Sequence, residues 1–274
     1  MTEAAIRHTP GTPCWVSLMV HGLGATRDFY GALFGWKFVR VPGPEGMGAH
    51  LRGVLDGAEV ADIGQLAPER RLPLAWTTYL ATDDADATAE SIRCCGGTVG
   101  VGPLDAGVDG RVALASDPAG AVFGIRQAQS GTGTGTGTVS AGAGAGAVAG
   151  AVPHGTPVWN ELLTHEAAWA GTFYRSVFGY DVAPTDPAGA DKLTLRLDGR
   201  AVATLRGVGE GPGRSRGSHW MTYFEVDDTD AAALRVAELG GHLIDPPWET
   251  AAGRVATVAD PEGAVFSVVR SAAR

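Results

Sequence analysis

Hydrophobic and polar positions along the chain predict short strands interrupted by two helices in each half. Residues 14–20 alternate as a strand, and residues 25–34 carry Ala25, Phe29 and Leu33 at helical spacing before Gly35. Further strands are predicted at 36–41, 49–55 and 59–63; the order then repeats with a strand at 75–81, a helix at 85–95 and strands near 98–101, 111–116 and 121–127. The first half is therefore predicted to contain two βαβββ units.

The second half of the chain repeats the first. Aromatic positions recur at a constant offset of 144 residues, pairing Phe29 with Phe173, Tyr30 with Tyr174, Phe34 with Phe178 and Trp76 with Trp220. The same elements are predicted there at 158–163, 167–178, 181–182, 194–197, 201–205, 219–226, 230–239, 242–244, 254–259 and 264–270. We therefore predict tandem domains at 11–127 and 155–272, joined by a flexible Gly/Ala/Thr linker at 128–154.

Composition narrows the class of protein. With 274 residues, 45% of them hydrophobic and 19% charged, the chain is typical of a globular protein that buries a sizeable core. A net charge of −9 argues against nucleic acid as a partner, because phosphate backbones would be repelled. No membrane-spanning run or secretory signal is evident, so a cytoplasmic protein is expected. Of three cysteines, Cys94 and Cys95 are adjacent, which excludes a disulfide framework.

Several segments carry a family resemblance. WVSLMVHGLGATRDFYGALFGW and WNELLTHEAAWAGTFYRSVFGY, the strand-helix segments WTTYLATDDADATAESI and HWMTYFEVDDTDAAAL, and the closing strands DPAGAVFGIRQ and DPEGAVFSVVR resemble the vicinal-oxygen-chelate superfamily. That superfamily includes glyoxalase I, extradiol dioxygenases and bleomycin-resistance proteins. More narrowly, the segments resemble tandem glyoxalase-like proteins of actinobacteria. The resemblance implies an α+β fold in which each pair of βαβββ modules forms a cup-shaped half-barrel.

The resemblance also implies where a divalent metal would be held, on the first, fourth, fifth and eighth strands of each cup. The matching positions carry Trp15 and Trp159, Asp62 and Leu205, Trp76 and Trp220, and Gly124 and Ser267. Apart from Asp62, a looser match, none is a metal-binding residue type. The histidines, His8, His21, His50, His154, His165, His219 and His242, rebuild no site by spacing, and alternation points His219 away from the cup; a ligand role for His50 or His165 stays open. We expect no metal and no other cofactor.

Strand alternation then assigns residues to the cups. It directs Trp15, Ser17 and Met19, and likewise Trp159, Glu161 and Leu163, into them; the facing strands would contribute Trp76, Thr78 and Leu80, and Trp220, Thr222 and Phe224. His50 and Trp248 would border the cups. Indole rings in place of metal ligands would form an aromatic slot for a flat molecule. Two alternatives stay open: the tryptophans fill a closed core, and Glu161 pairs with an arginine at a domain interface. Asp83, Asp84, Asp227 and Asp228 are predicted helix caps.

Two functions compete at this point. The first is a metal-free binding protein for a flat hydrophobic small molecule of aromatic polyketide or antibiotic type, acting in drug sequestration, self-resistance or antibiotic biosynthesis; the resembled group includes such an accessory in anthracycline biosynthesis. A biosynthetic enzyme would be its partner. The alternative is a metal-independent lyase, isomerase or hydroxylase-like enzyme with Glu161 as general base, which requires a raised pKa of that carboxyl. Either a monomer with pseudo-dimeric domains or a homodimer is expected.

Overall fold

The computed structural model describes residues 8–41, 49–67, 74–128, 152–186, 189–208 and 216–272. Within them the first half forms one eight-stranded sheet and the second half another, with the strand orders β2-β3-β4-β1-β5-β8-β7-β6 and β10-β11-β12-β9-β13-β16-β15-β14. Most of the linker predicted at 128–154 lies outside the described residues. The two tandem α+β domains predicted from the pattern and the resemblance are confirmed.

The first sheet comprises β1 (Pro13–Val20), β2 (Lys37–Val41), β3 (His50–Leu55), β4 (Ala58–Gln65), β5 (Trp76–Ala81), β6 (Thr98–Asp105), β7 (Arg111–Ser116) and β8 (Val122–Gln127). The second comprises β9 (Pro157–Thr164), β10 (Asp181–Asp186), β11 (Gly189–Leu197), β12 (Arg200–Gly207), β13 (His219–Glu225), β14 (His242–Thr250), β15 (Gly253–Ala259) and β16 (Val265–Ser271). Strand β14 is longer than the predicted 242–244. Its residues are largely exposed and its register shifts twice, so the sequence shows no alternation from which the full strand could be predicted.

Four helices accompany the described strands: α1 (Leu23–Phe34), α2 (Ala85–Cys94), α3 (Ala167–Phe178) and α4 (Thr229–Glu238). Asp84 and Asp228 cap α2 and α4 by accepting hydrogen bonds from Ala87 N at 2.9 Å and Ala231 N at 3.0 Å, as predicted. Asp83 and Asp227 precede these caps and do not serve as caps themselves. None of these helices is long and apolar enough to cross a membrane.

The helices and one face of each sheet share a core that mixes the two halves. Tyr30, Phe34 and Trp36 of the first half pack with Phe224 and Phe266 of the second, with ring centroids 5.0–6.0 Å apart. A second core cluster has the same arrangement with the halves exchanged. There the rings of α3 in the second half pack on Phe123 of the first. Each domain therefore completes the core of the other.

Hydrogen bonds across the domain junction follow the same two-fold pattern. Trp36 Nε1 donates to the carbonyl of Gly155 at 2.9 Å, and the hydroxyl of Tyr180, the counterpart of Trp36, donates to the carbonyl of Gly11. Gly11 adopts a φ of +87° and lies against the Tyr180 ring, so an added Cβ would be both strained and crowded. The junction is thus tied by buried polar contacts as well as by apolar packing.

Candidate functional site

Strand register decides which side chains share the sheet face that points away from the helices, here called the outer face. In the first domain Trp15 pairs with Tyr79, Ser17 with Thr77 and Tyr79 with Gly124. In the second, Trp159 pairs with Tyr223, Glu161 with Met221 and Tyr223 with Ser267. Directly paired residues project to the same side of a sheet. The outer faces therefore contain Trp15 and Trp159 as predicted, together with Tyr79 and Tyr223.

The predicted outer-face positions on β5 and β13 are wrong by one residue. Trp76 Nε1 donates to Tyr30 Oη at 3.1 Å, and Trp220 Nε1 donates to Tyr174 Oη at 2.9 Å, inside the shared core. Leu80 and Phe224 are fully buried in the same interior. Segment WTTYLA has only apolar or threonine side chains, so it offers no polar contrast by which alternation could assign a face.

Thr78 and Thr222 also lie at the domain junction rather than on an outer face. Both hydroxyls donate to Asn160 Oδ1, at 2.7 Å and 3.2 Å, and all three side chains are buried. Their predicted place in the cups is therefore wrong. The two hydroxyls and the amide oxygen satisfy one another's hydrogen-bonding capacity at the centre of the pseudo-two-fold arrangement. The counterpart of Asn160 in the first half is Val16, so this polar contact is not duplicated there.

The N-terminal outer face is covered by its own arginines. The guanidinium carbons of Arg52 and Arg126 lie 5.3 Å and 5.0 Å from the centroid of the Trp15 ring, which is 3% exposed. Trp15 Nε1 donates to Asp62 Oδ2 at 2.8 Å. The indole at this first-strand position is thus stacked and hydrogen-bonded within the protein.

A network of carboxylates holds those arginines in place. Arg52, whose side chain is 5% exposed, contacts Glu59, Asp62 and Asp109, each at 2.7 Å. Arg126 contacts Asp109 at 2.7 Å. Sequence reasoning missed this network because Asp109 and Arg126 come from a loop and a strand distant in the chain from Arg52. The only signal was Arg52 itself, which shares the face of His50 on β3.

Tyrosine rings and small residues complete the same face. Ser17 Oγ donates to Tyr79 Oη at 3.2 Å. A Cβ placed on Gly124 would lie 2.2 Å from Cδ1 of Tyr79, so that ring occupies the space into which a side chain at 124 would project. Met19 and His50 lie together over Gly64, where an added Cβ would meet the Met19 sulfur at 2.6 Å and His50 Nε2 at 2.7 Å.

The C-terminal outer face is centred on a buried carboxylate. Glu161, which is 2% exposed, accepts hydrogen bonds from Tyr223 Oη at 2.8 Å, Thr204 Oγ1 at 3.2 Å and Arg206 Nε at 3.2 Å, and its Oε1 lies 3.3 Å from Lys192 Nζ. The arginine partner expected for Glu161 is present. It lies on the outer face and not at a domain interface, which corrects that alternative.

The surroundings of Glu161 also set its protonation. Burial by itself raises the pKa of Glu161, but Arg206, Lys192 and the Tyr223 hydroxyl outweigh burial and hold the pKa below its usual 4.5. Glu161 is therefore an anion at neutral pH and a weak base. The alternative function required a raised pKa, and the structure places the shift in the opposite direction.

Trp159 is surrounded differently from Trp15. It is half-buried, and its Nε1 donates to Thr204 Oγ1 at 3.0 Å. Thr194 pairs with Thr204 across the sheet, and Ser267 pairs with Tyr223, so these strand neighbours are uncharged and Glu161 is the ionised group nearest along β9. Among the described residues no guanidinium lies over the Trp159 ring.

One row of side chains crosses the far end of this face. Lys192 pairs with Arg206, Arg206 with Leu163 and Leu163 with His219. His219 therefore lies on this face, although it was predicted to point away from the cup. That prediction was wrong because the faces of β13 were assigned one residue out of register. Burial lowers the pKa of His219. Trp248 is exposed on edge strand β14.

Each half of the chain matches a known protein family. Residues 13–125 match the family described as the Glyoxalase/Bleomycin resistance protein/Dioxygenase superfamily, and residues 161–269 match the family described as Glyoxalase-like domain. The chain belongs to this superfamily. Superfamily relatives similar over 96% of this chain include "Putative glyoxylase CFP32" of Mycobacterium tuberculosis, 35% identical and covered over 95% of its length. They also include "Anthracycline biosynthesis protein DauV" of Streptomyces sp. strain C5 and "Anthracycline biosynthesis protein DnrV" of Streptomyces peucetius, each 34% identical and 94% covered.

Solved superfamily structures share the fold. The Mn(II)-bound glyoxalase from Novosphingobium aromaticivorans aligns with a TM-score of 0.62 at 18% identity, over 95% of this chain and 83% of that one. The 2,3-dioxygenase LapB from Pseudomonas sp. KL28 aligns with a TM-score of 0.61 at 12% identity, over 97% and 94% of the two chains. At these identities the likeness establishes the fold alone.

The superfamily fold implies a divalent metal, and the donor set here does not fit one. The N-terminal outer face offers Trp15, Asp62, Tyr79 and Gly124, of which Asp62 alone is a carboxylate, already bound by Arg52 and Trp15. At the matching positions the C-terminal outer face offers Trp159, Thr204, Tyr223 and Ser267, since the predicted match at Leu205 is buried on the opposite face. The carboxylate of that face, Glu161, is already bound by Arg206, Lys192 and Tyr223. No group of three or more His, Cys, Asp or Glu suited to a metal occurs among the described residues.

Proposed function

We propose that the protein binds a flat, hydrophobic small molecule of aromatic polyketide type on an outer sheet face, without a divalent metal. It would act as an accessory protein in antibiotic biosynthesis, withdrawing product from a biosynthetic enzyme and so sequestering a drug-like compound. The observation that carries the proposal is the replacement of chelating side chains by paired aromatic rings, Trp159 beside Tyr223 and Trp15 beside Tyr79.

Two further observations support this proposal. DauV and DnrV, both named as anthracycline biosynthesis proteins, are similar to nearly the whole of this chain, so the tandem arrangement is shared with them. Glu161, the buried carboxylate beside Trp159 and Tyr223, is paired with cations, which suits binding better than proton abstraction. Self-resistance by sequestration would use the same site.

Isothermal titration of the full chain with a neutral anthracyclinone aglycone, repeated in excess EDTA and again with added Mn(II), tests the proposal. We expect a dissociation constant in the micromolar range or tighter that is the same in all three buffers. Absence of heat for a panel of planar polyketides would overturn the proposal. Binding that appears only when Mn(II) is added would overturn its metal-free part.

A further inference from the structure

The two outer faces are duplicated in sequence but carry their charges in different places. Register makes Thr194 and Thr204 of the second domain the counterparts of Arg52 and Asp62 of the first. Lys192 and Arg206 are likewise the counterparts of His50 and Gly64. In the described part of the second domain, threonines thus replace the Arg52–Asp62 pair, and the cations Lys192 and Arg206 lie one row further along the strands.

We infer that only the C-terminal outer face binds ligand and that its ligand presents an acidic oxygen, a carboxylate or phenolate, to Lys192 and Arg206. This inference rests on the proposed function and names the site and the chemical class of its ligand. The N-terminal outer face has a structural role, because Arg52 and Arg126 already occupy the surface of the Trp15 ring on which a ligand would stack.

The N-terminal outer face is closed because its aromatic ring is already stacked. A planar ligand over Trp15 would have to displace Arg52 or Arg126, at 5.3 Å and 5.0 Å from the ring centroid. Displacing Arg52 would leave Glu59, Asp62 and Asp109 without their shared cation. Three neighbouring carboxylates that share only the Asp109–Arg126 pair repel one another, so the stacked arrangement resists opening.

The C-terminal outer face has the opposite balance of charge. Lys192 and Arg206 have side chains that are 49% and 42% exposed, and they share one carboxylate, Glu161, which is 2% exposed. Within this cluster of described side chains, two cations against one anion leave a net positive charge. A partly buried cationic pair of this kind favours a ligand anion, and an arginine head binds carboxylate oxygens with directional hydrogen bonds.

The spacing between Trp159 and the charged group along the strands suits an acid with several fused rings. Trp159 Nε1 donates to Thr204, Thr204 donates to Glu161, and Glu161 binds the cations, so a continuous chain of contacts links the aromatic ring to the charge. Glu161 lies two residues beyond Trp159, which is roughly 7 Å at the rise of a strand. A ring system of three or four fused rings lying on Trp159 would bring an acidic substituent to the Lys192 and Arg206 heads.

Titration with anthraquinone-2-carboxylate and its methyl ester tests the inference on the full chain. We expect one acid bound per chain and an ester about tenfold weaker, because the ester lacks the charge. R206M and K192M should each weaken acid binding by about tenfold and so reduce the preference for acid over ester, whereas K192R should retain acid binding and that preference. R235M and K37M are matched controls, because Arg235 is comparably exposed at 47% and Lys37 lies on edge strand β2.

A second measurement uses the scarcity of lysine. The chain contains two, Lys37 and Lys192, so acetylation can be followed at each by peptide mass spectrometry. The acid should protect Lys192 from acetylation while Lys37 reacts at its unliganded rate. Equal protection of both lysines, equal affinity for acid and ester, or two acids per chain would overturn the inference.

Failure of the inference is distinguishable from failure of the proposed function. If ester and neutral aglycone bind as tightly as the acid and R206M has no effect, the function stands and the acidic ligand is wrong. If acid, ester and neutral aglycone all fail to bind, the proposed function falls and the inference falls with it.

Discussion

At the scale of single residues, one amino acid at two duplicated positions has two different environments. Trp15 is stacked under guanidinium groups and bonded to Asp62, whereas Trp159 is half-buried and bonded to a threonine. The difference comes from substitutions on neighbouring strands, Arg52 against Thr194 and Asp62 against Thr204. Duplication therefore preserves the position of the indole while its partners decide whether it is available to a ligand.

The arginine of the N-terminal network should be essential for stability. R52M leaves Glu59 and Asp62 without their cation beside a buried ring, with Asp109 still paired to Arg126, and should lower the free energy of unfolding by about 3–5 kcal/mol. R206M removes a half-exposed arginine and should cost about 1 kcal/mol or less. Urea unfolding of both variants measures this, and equal losses would show that the network is not what holds the N-terminal face.

Glu161 should contribute stability with a defined pH dependence. Because its folded-state pKa lies below 4.5, its contribution is present above that pH and is lost as the pH falls through the folded-state pKa. Relative to the wild type, E161Q should lose about 1–2 kcal/mol at neutral pH, since two cations lose their partner. The gap between the two proteins should narrow in urea melts below pH 4.5; a gap that widens towards acid would contradict the lowered pKa.

At the scale of elements, the sequence predicts order and type well and strand faces less well. The repeated βαβββ order and the Asp84 and Asp228 caps follow from local spacing, and β1 and β9 present their tryptophans as expected. Strand β5 has no polar contrast, so its face is set by pairing with β1, a partner about sixty residues away. The Arg52 network was beyond reach for the same reason, because its members meet only in the folded sheet.

The corrected faces predict which tryptophan affects binding. W76F removes a buried hydrogen bond to Tyr30 and should lower stability by about 1–3 kcal/mol while leaving affinity for an anthracyclinone unchanged. W159L removes the ring that we place beneath the ligand and should weaken binding about tenfold or more. Titration calorimetry of the two variants decides the point. Loss of binding in W76F with retention in W159L would restore the original face assignment.

At the scale of the whole molecule, the two domains share their cores instead of merely touching. Aromatic residues of α1 pack on β13 and β16, those of α3 pack on β8, and buried hydrogen bonds join Gly11 and Gly155 to the opposite domain. Such sharing makes the junction part of the hydrophobic core, so the chain should unfold as one cooperative unit.

Separating the halves should therefore expose a core. A fragment of residues 8–128 should self-associate or aggregate, because Tyr30, Phe34, Trp36 and Phe123 would lose the rings that cover them in the full chain. Analytical ultracentrifugation with near-UV circular dichroism measures this. A folded, monomeric fragment with native aromatic signals would contradict the shared core.

In the proposed complex a planar molecule lies against aromatic rings at the positions where the superfamily fold implies a chelated metal. A crystal structure of the full chain with anthraquinone-2-carboxylate would show whether it does. We expect ring density within about 4 Å of Trp159 and Tyr223, the carboxylate at Lys192 and Arg206, and Trp15 still stacked under its arginines. Density for an ion held by side chains of either outer face, or a ligand bound away from Trp159, would contradict it.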